Sequence, residues 1–137
     1  MLGAFDYVRA RSVAEAGRLL SQEDGSSIHA GGTDLLGYLR DQVFEAQKVV
    51  SLSRLPSLHG IRETPDGGLR IGALTTITEV AQPPLVRRRY PVLAQGAAEV
   101  ASPQLRHQGT IGGNLCQKPR CWYYRGEFHC LRKGGDR

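Results

Sequence analysis

Three cysteines fall close together near the end of the chain, Cys116, Cys121 and Cys130, in the spacing Cys-x4-Cys-x8-Cys. Thiolates ligate zinc and iron–sulfur clusters. Tetrahedral zinc sites usually space their paired ligands two to four residues apart, and iron–sulfur clusters take more varied spacings. Both normally need four ligands. His107, His129 or a cysteine beyond Arg137 are the candidates for the fourth, and three free thiols in a loop are the plain alternative. Arg120, Arg125 and Arg132 interleave with the cysteines. Positive charge lowers a thiol's pKa and raises a cluster's potential, which suits redox work. An odd number of clustered cysteines, in a chain without a visible export signal, argues against a disulfide framework.

A second chemical feature is the stretch Ser27-Ile28-His29-Ala30-Gly31-Gly32-Thr33-Asp34-Leu35-Leu36. It reads as a short strand, a glycine turn and the start of a helix over Leu35 to about Gln42. Ile28 and Ala30 are the expected buried side of the strand, and Thr33 or Asp34 the expected helix cap. Free amides at such a turn, backed by a helix N-terminus, attract an anion such as phosphate. An ordinary strand-to-helix turn is the competing reading. A second glycine turn, Gly109-Thr110-Ile111-Gly112-Gly113-Asn114, lies far along the chain. Two such turns could clamp one ligand between two lobes, with the Thr33 and Thr110 hydroxyls placed either to bond a pyrophosphate or to cap their helices. Neither turn fits the Rossmann or Walker A pattern, so a doubly wound nucleotide fold is not supported.

Other constellations are thin. No Ser/His/Asp set and no motif with paired carboxylates is visible, so no catalytic residue is assigned. His59 reads as a structural residue in a strand. Trp122, Tyr123 and Tyr124 with flanking arginines also suit a surface for single-stranded nucleic acid. The charge is uneven: residues 104–137 hold seven basic side chains against two acidic ones, which accounts for the whole net charge of +5. A basic tail can serve nucleic acid, an anionic cofactor or an acidic partner.

The elements that position these residues follow in order. Phe5–Ala10 is a strand or extended arm. Ser12 and Glu15 form a capping-box pattern opening a helix over Val13–Gln22, ended by Glu23–Ser26. The Ile28 strand, the glycine turn, a helix and the strand Lys48–Ser53 make a βαβ pattern. Leu58–Glu63 and Leu69–Ala73 form a hairpin across Thr64-Pro65-Asp66-Gly67-Gly68. Thr76 and Glu79 open a short helix that Pro83-Pro84 stops, and Pro91 begins another with Leu93, Gly96, Ala97 and Val100 on one face. At Ser102-Pro103 the character changes: the second glycine turn follows, then a stretch from Cys116 to Cys130 with no helix or strand period, and this cysteine-rich loop with no closing element suggests a truncated chain. The length, 137 residues, is one domain's worth at about 150 residues per domain. No apolar run approaches the ~20 residues of a membrane span, and no signal peptide is visible, so a cytoplasmic location is expected.

Taken together, these segments resemble the FAD-binding subunit of the molybdenum hydroxylases, the xanthine dehydrogenase family. The resemblance is carried by Phe5-Asp6-Tyr7-Val8-Arg9-Ala10, by Ala30-Gly31-Gly32-Thr33-Asp34-Leu35, by Ile71-Gly72-Ala73-Leu74-Thr75-Thr76, and by the segment Arg106 to Leu115. It implies an α+β fold, the N-terminal part of a two-lobed FAD-binding domain of the vanillyl-alcohol-oxidase (PCMH) type. Residues 1–101 would be the first lobe, and 102–137 the start of the second with a truncated cysteine-rich loop. By the same resemblance Ile28, His29, Ala30, Gly31, Gly32, Thr33, Asp34 and Leu35 would wrap the FAD pyrophosphate. Thr110, Ile111, Gly112, Gly113 and Asn114 would hold it from the other lobe, and Val100 would lie near the cofactor. The segment Cys116–Cys130 resembles the insertion of a subgroup similar to 4-hydroxybenzoyl-CoA reductase and the aldehyde oxidoreductase flavin subunits. That implies a [4Fe–4S] cluster on Cys116, Cys121 and Cys130, with a further cysteine past Arg137. Family members run well beyond this length. The expected function is an FAD-binding electron-transfer subunit, here a fragment, assembled with a molybdenum-cofactor subunit and a [2Fe–2S] subunit into a hetero-oligomer. No nucleic acid or membrane partner is expected. The rival expectation is a non-enzymatic, zinc- or metal-stapled basic module for nucleic acid or a protein partner.

Overall fold

A computed structural model describes residues 2–22 and 24–135. Three parallel strands form the first layer: β1 (Asp6–Arg9), β2 (Ser26–His29) and β3 (Lys48–Ser51). Their order is β1-β3-β2, with Val8, Val50 and Ile28 in register. Side chains alternate across a strand, so β3, flanked on both sides, must be apolar on both faces. Val50 turns to helix α1 (Val13–Ser21) and packs with Ala10 and Ala16. Val49 turns the other way, to helix α2 (Leu35–Arg40), and packs with Leu39 and Ala46. The βαβ expectation is met. Ser12 caps α1 by accepting from the Glu15 amide at 3.0 Å. The predicted stop of α1 begins at Glu23, which lies outside the described residues.

Ile28 does not occupy the buried position expected of it. It is 49% exposed, as a side chain on the edge strand of the sheet. The half-buried residue facing the α2 side is His29 instead.

The second part of the chain is a hairpin and a set of short helices. β4 (Ile61–Glu63) and β5 (Leu69–Ile71) pair antiparallel, Ile61 opposite Ile71. The turn closes with Gly67 at φ +81°, a left-handed angle that glycine adopts without penalty. β4 starts three residues later than expected. Pro56–Leu58 is a 3-10 turn, and His59 follows it in extended backbone rather than in a strand. Ile61 and Ile71 pack against Ile77, Val80 and Ala97, which come from α3 (Ile77–Ala81) and α5 (Pro91–Ala98). The capping box at Thr76 and Glu79 is present in full.

Pro83-Pro84 does more than stop α3. Pro84 is the first residue of another helix, α4 (Pro84–Arg89), just as Pro91 opens α5 and Pro103 opens α6 (Pro103–Gln108). Proline lacks the N–H that the first helical turn leaves unpaired anyway, and its fixed φ suits that position. The chain after Ser102 is thus more helical than expected, and the expectation of no regular structure from Cys116 to Cys130 is corrected by α8. Besides α6, the chain forms α7 (Ile111–Leu115), α8 (Trp122–Arg125) and a 3-10 turn over Leu131–Lys133. Each is too short for a hydrophobic period to show in sequence. The residues that would close the chain, Asp136 and Arg137, lie outside the described ones. No helix among the described residues is long and apolar enough to cross a membrane.

Candidate cofactor site

The Gly31–Leu35 turn leaves the C-terminal end of β2, the end of a parallel sheet where ligands commonly bind. Gly32 stands at φ +77°. The backbone N–H groups of Gly31, Gly32, Thr33, Asp34 and Leu35 donate to nothing among the described residues; the first bond after the turn is Leu36 N–H to Gly32 C=O at 3.1 Å. Consecutive unpaired amides beside a left-handed residue make a concavity that favours anions. A cavity of about 400 Å³ opens beside them, lined by Leu2, Gly31, Gly32, Thr33, Leu36 and Arg40 with Gln108 from α6.

The two glycine turns meet here. The Gln108 amide donates from Nε2 to the Gly31 carbonyl at 3.1 Å. A Cβ on Gly31 would stand 2.0 Å from the Gln108 carbonyl oxygen, so only glycine permits this approach. Gly109 comes next to Thr33, whose Oγ1 would lie 3.4 Å from a Cβ added there. The second turn is pinned from behind by the segment Ala73–Ile77. Ile111 N–H donates to the Thr75 carbonyl at 2.8 Å, Gly112 N–H to the Ala73 carbonyl at 2.9 Å, and Ile77 N–H to the Gly109 carbonyl at 2.9 Å. A Cβ on Gly112 would meet the Ala73 oxygen at 2.8 Å.

The two threonines exchange the roles that sequence alone leaves open. Thr110 is buried and caps α7, its Oγ1 accepting from Gly113 N–H at 3.2 Å. Thr33 makes no such bond and its side chain lines the cavity. Asp34 holds the cap position of α2, but its carboxylate makes no cap bond. It accepts instead from Arg125 Nη2 at 2.8 Å and Arg120 Nη2 at 3.4 Å. Two long-range cations outcompete one local amide for this carboxylate, which corrects its expected role. His29 projects from the last position of β2, edge-on to the Tyr7 ring at 6.1 Å. Its Nδ1 is buried without a partner among the described residues. Burial pushes its pKa below the usual histidine value, so the ring is held neutral.

Of the expected cofactor residues, Gly31, Gly32 and Thr33 line the cavity, and none of Thr110, Ile111, Gly112, Gly113 and Asn114 does. Val100 packs against the Ile77, Val80 and Ala97 cluster, and its carbonyl accepts from Arg106 Nη1 at 2.9 Å. Cys116 ends α7 and Cys121 precedes α8; both are exposed, Cys130 is half-buried, and all three are free thiols. No group of three or more His, Cys, Asp or Glu among the described residues is gathered to hold a metal. As they stand, the three cysteines are not a ligand set.

Sequence reasoning missed Gln108, Tyr38 and Arg125. Tyr38 is buried on α2, one turn after Asp34, and Arg125 lies over its ring at 4.2 Å. Tyr38 had a signal, its helical spacing from Asp34. Arg125 had none, because only the tertiary fold brings it across 91 residues to Asp34.

A parallel three-stranded layer, a helical second part and two glycine turns that come together at Gly31 and Gln108 define a mixed α/β domain. The chain belongs to the family described as the FAD binding domain in molybdopterin dehydrogenase, whose pattern matches residues 3–121. It is 37% identical over 110 residues to the xanthine dehydrogenase FAD-binding subunit of Escherichia coli O157:H7, covering 80% of this chain and 38% of that protein. It is 40% identical over 121 residues to the aldehyde oxidoreductase FAD-binding subunit of Escherichia coli K12, covering 88% of this chain and 38% of that one. Among solved structures it superimposes on carbon monoxide dehydrogenase from Hydrogenophaga pseudoflava with a TM-score of 0.78 and 36% identity, over 84% of this chain and 40% of that one. The expected FAD-domain fold is thereby met. The chain spans about two fifths of the length of these relatives. The rival reading, a metal-stapled nucleic-acid module, finds no support in these matches.

Proposed function

We propose that this chain forms the FAD-binding part of an electron-transfer subunit in a molybdenum-containing oxidoreductase complex. One observation carries the reading: the five consecutive amides of Gly31 to Leu35 have no partner among the described residues, and the first three of these residues line a cavity beside the contact of Gly31 with Gln108. The donor set suits a pyrophosphate. The amides and the Thr33 hydroxyl donate, and Gly31 lets the second turn approach. Ile28 to Leu35 form the first wall of the site. Thr110 to Asn114 form the second, as a short helix whose own amides are spent on holding it in place. Val100 supports that second part from the core. Bound FAD supplies the redox chemistry; the chain binds, orients and shields it.

The finer assignment gives Cys116, Cys121 and Cys130 to a [4Fe–4S] cluster. It rests on their spacing, the interleaved arginines and the resemblance to the subgroup with this insertion. Because the three thiols are not assembled, no electron step is drawn through them. The partners are a molybdenum-cofactor subunit and a [2Fe–2S] subunit, in the cytoplasm. Titration of the full-length protein with FAD, followed by flavin fluorescence, tests the first assignment: saturable quenching is expected, and its absence defeats it. Metal analysis of anaerobically prepared full-length protein tests the second. About four irons are expected from the ligand logic of such clusters, with less iron in Cys121→Ser, whereas stoichiometric zinc without iron rules the cluster out.

A further inference from the structure

The contacts of Arg125 go beyond a surface ion pair. Its Nη2 donates to the Asp34 carboxylate at 2.8 Å, its Nε donates to the Pro119 carbonyl at 3.2 Å, and its guanidinium lies 4.2 Å from the centre of the Tyr38 ring. Tyr38 in turn donates its hydroxyl to the same Pro119 carbonyl at 2.9 Å and meets the Tyr124 ring edge-on at 6.3 Å. Arg120 adds a second, longer contact to Asp34. The Arg125 and Asp34 side chains are only 21% and 20% exposed, so water screens the pair weakly. One end of this bracket is the glycine turn, since Asp34 contributes one of its five free amides. The other end is the cysteine segment, since the Cys121 carbonyl accepts from Arg125 N–H at 3.0 Å in α8.

From this geometry we infer that Arg125 is a positioning residue that links occupancy of the glycine turn to docking of the segment 119–125. The inference rests on the FAD reading above and adds a regulation to the same site. An unpaired Asp34 carboxylate in the turn repels a pyrophosphate. Paired with two guanidiniums, it presents a neutral-to-positive surface to the same ligand. The reverse follows by linkage. Further negative charge in the turn strengthens the hold on Arg125 and Arg120, so FAD binding secures α8, and whatever secures α8 tightens FAD binding by the same factor. The cysteine segment and the flavin site are then one thermodynamic unit.

The test uses the full-length protein and two readouts: the Kd for FAD, and hydrogen exchange of the Arg125 and Gly126 amides with and without FAD. Arg125→Ala is expected to raise the Kd roughly tenfold, an ordinary size for coupling between two sites, and to abolish the FAD-dependent protection of α8. Asp34→Asn, which keeps the side-chain shape and the backbone amide, is expected to lose that protection as well. The double variant, which also removes the carboxylate that Arg125→Ala leaves less well paired, is expected to bind FAD more tightly than Arg125→Ala alone, a pattern that a simple folding defect does not produce. If wild type binds FAD while Arg125→Ala has an unchanged Kd and α8 exchanges alike in both states, the linkage is overturned and the FAD site stands. If wild type binds no FAD, the FAD reading fails and the linkage fails with it.

Discussion

Thr33 and Thr110 carry the same side chain in similar glycine-rich settings and do different work. Thr110 spends its hydroxyl on the first turn of α7, so it holds the second wall in shape. Thr33 is a lining residue of the cavity, and its hydroxyl caps no helix. Thr110→Val is therefore expected to cost about 1 kcal/mol of stability, the usual worth of an N-cap, measured by denaturant unfolding, with FAD affinity changed little. Thr33→Val is expected to leave stability near wild type and to raise the Kd for FAD about tenfold, as for one hydrogen bond to a charged group. Equal effects of both substitutions on FAD affinity contradict this division. His29 supplies a pH dependence. Its folded pKa is depressed by burial, so the unfolded chain binds a proton that the folded chain refuses. Stability is full above the ordinary histidine pKa of about 6.5 and is lost as pH falls through the depressed folded value. The difference in unfolding midpoint between wild type and His29→Asn is expected to stay constant above that window and to shift against wild type as pH falls through it; parallel pH profiles sink the assignment.

At the scale of elements, what was legible in the sequence was what is local. Ser12, Thr76 and Asp66-Gly67 announce their helix starts and turn because a cap or a turn is settled within four residues. The helices α4, α6, α7 and α8 were not legible, because at four to six residues each they offer no full hydrophobic period and are held by tertiary contacts. The glycine turns were legible as features but not as neighbours. Their meeting depends on Gly31 against Gln108 and Gly112 against Ala73, contacts that no local pattern encodes. The exposed Ile28 failed for a related reason: alternation predicts which face a residue takes, not whether a helix covers that face at a sheet edge. Gly112→Ala tests the tertiary pinning. The added methyl meets the Ala73 backbone at 2.8 Å, so the second turn must shift. A loss of about 1–3 kcal/mol, as for other overpacked sites, is expected in denaturant unfolding, together with weaker FAD binding. Wild-type values for both show that the turn is not pinned there.

For the whole molecule, sheet layer and helical part act as two supports that bring the two glycine turns together, with Gly31 and Gln108 in contact beside one cavity. The sheet contributes the amides; the helical part contributes Gln108 and the wall behind it. The family match and the superposition on carbon monoxide dehydrogenase fix the fold, and the chemistry proposed for it stands or falls on where the pyrophosphate lies. Hydrogen exchange of the full-length protein with and without FAD reads this directly. The amides of Gly31 to Leu35 have no partner among the described residues, so they exchange freely without cofactor and are expected to slow at least about tenfold once bonded to the pyrophosphate. Flavin bound with undiminished exchange at all five amides contradicts the account.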